Sequence, residues 1–440
     1  MVNENKELIA KIRPVILAGF GAVSLACVRS WGRQGFTVGM ICIKYQEKIP
    51  PSSRFLKEFT TLPKEKLYIE EGIWIIGSFL KKISASGIIC VTEKIACWLN
   101  DNRQALPPEV GVWLPKNKTI NDLLSKQNQI EIARKVGFGV LPTYLVGREI
   151  NVANDIPYKH FPLCLRPSRP ESTIPTFKVR LVYSRDELNK FINSLKTIKQ
   201  PIIAQPFRNL PNLVVHGVRT LLGESIGLQA FLVERKFEGV TLTIRPASLR
   251  KDLRDKCVRF TDSFGVTGNH HFEFLIDKKD GSVSFLELNS RFGGTTAKVY
   301  ACGYDEPLLA LQAYGVIPVN HTLKTTSGNS AIQSRQPAAA SFPPSTIEYR
   351  MSANVIVSNK GALLKYLRYT LQDKLTLFDY PTETKLTRIL KMFYGLFRYK
   401  DDVFSFQDMR GSLAFYREIF ASIFKKHFIL PPKDFKGRGI

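Results

Sequence analysis

The stretch from 271 to 291 constrains the fold most. In His271-Phe-Glu-Phe-Leu-Ile276, alternate residues of an extended chain take opposite faces: His271, Glu273 and Leu275 on one, Phe272, Phe274 and Ile276 on the other. Asp277-Lys-Lys-Asp-Gly-Ser282 follows, rich in residues that tolerate left-handed backbone, and a second extended run ends in Glu287-Leu-Asn-Ser-Arg291. The runs are expected to pair as a hairpin. Glu287, Asn289 and Arg291 then share one face, Leu286 and Leu288 the other, and Glu273 comes near Glu287.

Two carboxylates and an amide oxygen are hard ligands, suited to magnesium that keeps several waters and shares phosphate oxygens. Arg291 adds a fork that grips phosphate with two hydrogen bonds. The pattern reads as a metal–phosphate site; a solvated hairpin face with a surface ion pair would use the same residues.

A length of 440 residues allows two to four domains, and 44% hydrophobic residues supply their cores. The seven cysteines are odd in number and form no C-x-x-C pair, so neither a disulfide framework nor a zinc site is suggested and a reducing cytosol fits best. No run approaches the roughly 18 uncharged apolar residues that span a bilayer. Val15–Val28 is followed at once by Arg29, Trp31 and Arg33, which argues for strand, turn and helix over a signal segment. The formal charge of +25 favours anionic partners: nucleotides, nucleic acid or an anionic membrane surface.

Pro14–Ala18 reads as a buried strand, Gly19-Phe-Gly21 as a tight turn, the following residues to about Gln34 as a helix, and Phe36–Ile43 as a second strand. This opens a doubly wound α/β unit. Ser24 stands at the third glycine of the dinucleotide fingerprint and Lys44 where an acidic residue would close the second strand, so a nucleotide-type fold without a bound dinucleotide is expected. A strand over 86–91, a helix over 92–102 and one helical face over 120–136 come next. Strands follow at 161–167, from 177 and at 202–206, with Ser184 capping a helix through Leu195.

In this order the parts resemble the ATP-grasp superfamily, in the branch of carbamoyl-phosphate synthases, biotin carboxylases and carboxylate-amine ligases akin to D-aspartate ligase. The resemblance rests on Lys126-Gln127, Leu141-Pro142-Thr143, Phe161-Pro162 to Arg166-Pro167, Lys178-Val179, Gln205, Phe272-Glu273-Phe274, Glu287 to Arg291 and Gly293-Gly294. Arg29 to Phe36 looks like the Arg-Ser-Leu-Gly segment of the ligase-like members. The resemblance covers about residues 14–318. It implies a Rossmann-like pre-ATP-grasp domain over 1–115 and an α+β ATP-grasp domain of two lobes over 116–320. A flexible connection over 321–346 and a strand with basic amphipathic helices over 347–440 complete the expected α/β architecture.

The resemblance further implies ATP and magnesium, with manganese as an alternative. Glu273, Glu287 and Asn289 would hold the metal. Arg291 would hold the transferred phosphoryl group and, with Asn289, act in catalysis. Lys126, Arg166, Lys178 and Gln205 would bind the nucleotide, Gln205 at the hinge strand that meets adenine, and Lys236 and Arg245 would lie near phosphates and substrate. Arg166 departs from the family's lysine, and the loop 168–176 carries Pro170 and Pro175 in place of glycines, so phosphate geometry is expected to differ.

The expected activity is an ATP-dependent ligase that phosphorylates a small-molecule carboxylate and joins it to an amine. Two alternatives stay open: a carboxyphosphate-forming relative of carbamoyl-phosphate synthase or biotin carboxylase, and a non-catalytic nucleotide-binding or membrane-associated scaffold. His271 suits a ligand or base, but a hydrogen-bonded strand histidine is the favoured reading; His216 reads as structural. Gly293-Gly294 suits either a backbone anion contact or a turn into the helix through Cys302.

Residues 324–345 read as an exposed connection and 347–357 as one more strand. Leu386, Ile389, Leu390, Phe393, Tyr394 and Phe397 make one face of a basic helix, and 413–428 a second amphipathic stretch. Such helices either dock on their own domain or lie on an anionic membrane. A cytoplasmic chain, peripheral to the membrane if those helices bind it, is expected; self-association stays open, and no motif supports nucleic-acid binding.

Overall fold

The structure is a computed structural model that describes residues 11–44, 50–148, 155–318 and 354–425. The connection expected over 321–346 lies outside the described residues, as do the start of the strand expected from 347 and the chain beyond 425.

The first sheet is parallel throughout. Pro14–Ala18 lies at its centre between Val38–Lys44 and Gly87–Cys90, with Leu56–Pro63 and Gly111–Val112 at the edges. Counted along the chain the order is third, second, first, fourth, fifth, that of a doubly wound unit. Every residue of the central strand is buried, which explains its unbroken apolar run. Ser24 fills the turn that opens the helix Ala22–Arg33: its hydroxyl accepts from the Gly21 N–H at 2.9 Å and donates to the Gly19 carbonyl at 3.0 Å.

A second, antiparallel sheet orders its strands Tyr144–Val146, Ile202–Pro206, Leu163–Pro167 and Arg180–Val182, packed under the helix Arg185–Ser194, which Ser184 caps. The strand expected to open at Phe177 begins at Arg180. Ahead of it, Thr173–Ile174 pairs with Thr197–Ile198 as a separate ribbon.

The third sheet has seven strands. Val283–Asn289 and Gly268–Ile276 form one margin, followed by Asn212–Arg219, Ser225–Phe237, Val240–Ala247, Val357–Ser358 and Lys400–Asp401. Its inner face holds an aromatic core: Phe138 packs on Phe260, Phe272, Phe274 and Phe285, stacked on the last at 5.6 Å. The helices over this face include Lys251–Phe264 and a broken pair, Asn117–Leu124 and Lys126–Lys135. One continuous helical face was expected over 120–136. The break falls at Ser125, whose extended backbone and hydroxyl cap the second helix by accepting from the Asn128 N–H at 3.3 Å.

The hairpin pairs His271 with Asn289 and Glu273 with Glu287, and then a bulge shifts the register so that Phe274 faces Phe285. Strict alternation placed Leu286 in the core. The bulge instead buries Phe285 and Leu288 and leaves Leu286 half-buried, because one extra residue flips the pleat.

On the opposite face, the helix Glu306–Ala313 is buried at every position, wedged between this sheet and Ala22–Arg33. The Arg29–Arg33 segment forms that joint: Ser30 donates to Asp305, the Trp31 indole to the Pro307 carbonyl at 2.9 Å and Arg33 to the Tyr300 hydroxyl at 2.7 Å. The helices Lys360–Leu371 and Lys385–Arg398 pack together over Phe237 and Leu242 through Leu363, Tyr366, Leu367 and Met392. The last helix, Met409–Lys425, is tied back through Asp408. Among the described residues no helix is long and apolar enough to cross a membrane.

Candidate active site

Alternation and the turn bring Glu273, Glu287, Asn289 and Arg291 onto one face at the margin of the large sheet. They form a chain of contacts. Asn289 donates to Glu287 at 3.2 Å, Arg291 Nη2 donates to the Asn289 oxygen at 3.2 Å, and the same nitrogen pairs with Glu93 at 3.2 Å. Glu93 opens the helix Glu93–Asp101 behind the parallel sheet, so the first unit reaches into the site.

Cations from the other side converge on Glu287. Lys126 Nζ, at the start of its helix, stands 3.3 Å from Glu287 Oε2, and Arg166 Nη1, on the four-stranded sheet, stands 4.0 Å from the same oxygen. Arg166 also donates to Gln205 at 2.8 Å, and Gln205 donates to the Thr143 hydroxyl at 2.9 Å. Six of the expected residues, and Gln205 through Arg166, thus belong to one cluster where three sheets meet. Lys178 does not: it stands exposed, and no hydrogen bond or ion pair among the described residues ties it there. Lys126 is the lysine that stands beside Arg166.

Glu273 is bordered differently. Asn212 donates to its Oε2 at 3.4 Å and accepts from Lys236 Nζ at 3.3 Å, while Lys236 also donates to the Leu210 carbonyl at 2.7 Å. His271 Nε2 lies 3.9 Å from Glu273 Oε1. Arg245 turns away, pairing with Glu234, which also holds Lys278.

These surroundings split the two carboxyls. Burial, reinforced by the Glu287 charge, pushes Glu273 up to about 7 against the pull of Arg291, Arg166 and Lys236. Burial acts on Glu287 in the same sense, but Lys126, Arg166, the Asn289 amide and Arg291 hold it down at about 2. Lys236 is pushed down to about 8 by burial, against the pull of Glu273.

The donor set is all oxygen, two carboxylates and an amide, which fits a hard divalent cation. Arg291 Nε is buried with no hydrogen-bond partner among the described residues, as a guanidinium awaiting an anion would be. Thr143, although inside a quoted motif, was given no role by the sequence, and Asn212 and Glu93 were not singled out. Each earns its place only through a partner 60 or more positions away.

No protein-family model matches this sequence, and no curated protein matches it. Solved structures do. The chain is similar to a biotin carboxylase–β-γ-ATP complex from Campylobacter jejuni, at 14% identity over 88% of this chain and 96% of that one, with a TM-score of 0.57. It is similar to the biotin carboxylase domain of 2-oxoglutarate carboxylase from Hydrogenobacter thermophilus, solved with MgADP, ADP and bicarbonate, at 15% identity over 70% of each chain and a TM-score of 0.55. An L-amino acid ligase from Bacillus licheniformis aligns at 17% identity over 68% of this chain and 74% of that one, with a TM-score of 0.51. With the cluster where three sheets meet, these likenesses show that the chain has the ATP-grasp fold.

Proposed function

We propose that this protein is an ATP-dependent ligase that activates a small-molecule carboxylate as an acyl phosphate and joins it to an amine. The observation that carries this reading is the gathering of Lys126, Arg166 and Arg291 around Glu287 and Asn289, with Glu273 directly opposite Glu287 on the hairpin. In this reading residues 1–115 form the pre-ATP-grasp domain and 116–320 the ATP-grasp domain. Magnesium bound by Glu273, Glu287 and Asn289 would neutralise the phosphate charge that otherwise repels a carboxylate nucleophile.

The chain's own residues account for the rest. Lys126 and Arg166, which stand beside Glu287, exchange that carboxylate for nucleotide phosphate. Gln205 holds Arg166 in line. Arg291, anchored by Asn289 and Glu93, retains a free Nε edge for the phosphoryl group. A substrate carboxylate oxygen attacks the γ-phosphorus and ADP leaves; the amine nitrogen then attacks the acyl carbon and phosphate leaves. Arg291 stabilises the oxyanion of that second step.

The test is ADP release by the full chain with ATP, magnesium and a panel of amino acids and other carboxylates, with and without amines. A carboxylate–amine pair that drives release, lost in Glu287→Gln with the fold intact, supports the ligase. Release driven by bicarbonate alone moves the protein to carboxyphosphate chemistry, and the absence of any turnover makes it a nucleotide-binding scaffold.

One further observation supports a peripheral membrane contact. On the helix Lys385–Arg398, Leu386, Leu390, Phe393, Tyr394 and Phe397 form one stripe that is exposed, Phe397 to 84%, while Met392 and Gly395 face the protein. Basic residues Arg388, Lys391 and Arg398 flank it, which suits an anionic bilayer. Flotation with anionic vesicles, absent with zwitterionic ones and lost in Phe393→Glu/Phe397→Glu, is the expected result.

A further inference from the structure

Deeper in the large sheet, beyond Glu273, two histidines and a carboxylate are packed together away from solvent. His216 and His271 are cross-strand partners with rings stacked at 5.1 Å. Glu306, the first residue of its helix, brings Oε2 to 3.1 Å from His216 Nδ1. His216 and Glu306 are 0% exposed and His271 is 3% exposed.

Two independent observations point to a missing ligand. One donor atom from each of the three residues lies within 4.8 Å of the others. Separately, His216 Nδ1, His271 Nδ1 and Glu306 Oε2 are all buried with no hydrogen-bond partner among the described residues. The 3.1 Å approach between His216 and Glu306 is not aligned as a hydrogen bond.

The surroundings are built for the cluster. Thr295 Oγ1 holds His216 Nε2 at 2.9 Å, and the Asn269 amide reaches Glu306 Oε1 at 3.5 Å. A Cβ at Gly293 would fall 2.4 Å from the His271 ring, so only glycine there leaves room for that imidazole.

A buried carboxylate served by one long amide contact is costly unless its charge is neutralised. A proton on His216 would neutralise it but leave His271 Nδ1 bare. A divalent ion satisfies all three atoms. Two imidazole nitrogens and one carboxylate oxygen are a zinc-type donor set with a fourth position open, distinct from the all-oxygen set a few ångströms away that suits magnesium.

We propose that His216, His271 and Glu306 form a buried binding site for a zinc-type divalent ion behind the paired carboxylates Glu273 and Glu287. Tetrahedral bonds of about 2.1 Å place ligands roughly 3.4 Å apart, so atoms that lie within 4.8 Å of one another draw in by at most about 1.4 Å. With Nδ1 on the ion, the His271 proton sits on Nε2, which faces Glu273 Oε1 across 3.9 Å. The ion thereby orients a second-layer donor toward a magnesium ligand.

The test uses the full-length protein purified without chelator, then given zinc alone or cobalt(II) alone. About one zinc per chain, a melting midpoint raised by several degrees on zinc addition, and a visible cobalt band of tetrahedral strength are expected. Glu306→Gln and His216→Ala should lose the metal, and Glu287→Gln should keep it, which separates this site from the magnesium site. Wild-type protein that retains no zinc, shows no zinc-dependent midpoint and gives no cobalt band overturns the proposal. Full zinc content in folded Glu306→Gln and His216→Ala overturns it equally. If those variants fail to fold, the wild-type zinc content and cobalt spectrum decide.

Discussion

Glu273 and Glu287 stand directly opposite one another across the hairpin, yet one is held well above the ordinary carboxylate range and the other well below it. Glu287 has Lys126 and Arg166 as partners; Glu273 has an amide and a distant lysine. Two carboxylates this close repel unless a proton or a cation lies between them. Glu273→Gln is therefore expected to stabilise the ligand-free protein by about 1 kcal/mol, the upper end for relieving a like-charge cross-strand pair. It should also abolish the gain in melting midpoint that magnesium with ATP confers. Calorimetry with and without both ligands checks this, and a variant destabilised without ligand would count against the repulsion.

Arg166 stands where the resemblance led to the expectation of a lysine, and the structure shows what its fork does: one arm reaches Glu287, the other Gln205. Lysine keeps the charge but cannot span both. Arg166→Lys should weaken ATP binding by roughly tenfold, the value of one hydrogen bond to a charged group, and Arg166→Met by roughly a hundredfold or more. Nucleotide titration of the full chain reads both. Equal binding by wild type and Arg166→Met would remove Arg166 from the nucleotide site.

Lys236 has a folded-state value near 8, below the ordinary 10.5, chiefly through burial. Between those values the unfolded chain holds the proton and the folded one has released it, so stability from this group rises as pH climbs from 8 to 10.5. Below pH 8 the folded state bears the cost of a buried charge. Lys236→Met removes that cost but also loses the bonds to Leu210 and Asn212. The net expectation is a gain of about 1 kcal/mol at pH 7, fading to none or reversing by pH 10.5. Melting midpoints across that range decide it; a constant offset at every pH would assign the effect to packing.

Where the sequence was readable, local physics did the work. Alternation and a turn rich in Asp and Gly brought Glu273 near Glu287, where the hairpin pairs them, and an apolar run followed by glycines marked Pro14–Ala18 and its helix. The register beyond Glu273 was not readable, because the bulge that buries Phe285 answers to the aromatic core around Phe138. Leu56–Pro63 went unrecognised as a strand: at a sheet edge its charged residues break the pattern. The strands from 212 to 247 were not assigned either, although their central residues are almost wholly buried. His216 looked structural because its partners, Thr295 and Glu306, are 79 and 90 positions distant.

The same limit hid the tie between the two ends of the described chain, and it carries the largest stability expectation. Asp408 is fully buried and receives Arg29 Nε at 2.8 Å, the Ser53 hydroxyl at 2.8 Å and the Arg54 N–H at 2.9 Å. Arg29 also donates to the Val403 and Asp408 carbonyls and the Ser412 hydroxyl. Removing the carboxylate leaves a buried guanidinium without its counter-charge, which costs about 3–5 kcal/mol. Asp408→Asn, nearly identical in shape, should lose most of that in urea unfolding. Arg29→Met combined with Asp408→Asn should recover a large part of it, since neither charge then remains buried. If the single variant unfolds within about 0.5 kcal/mol of wild type, the level of an ordinary surface change, the C-terminal helices are not fastened to the parallel-sheet unit through this pair.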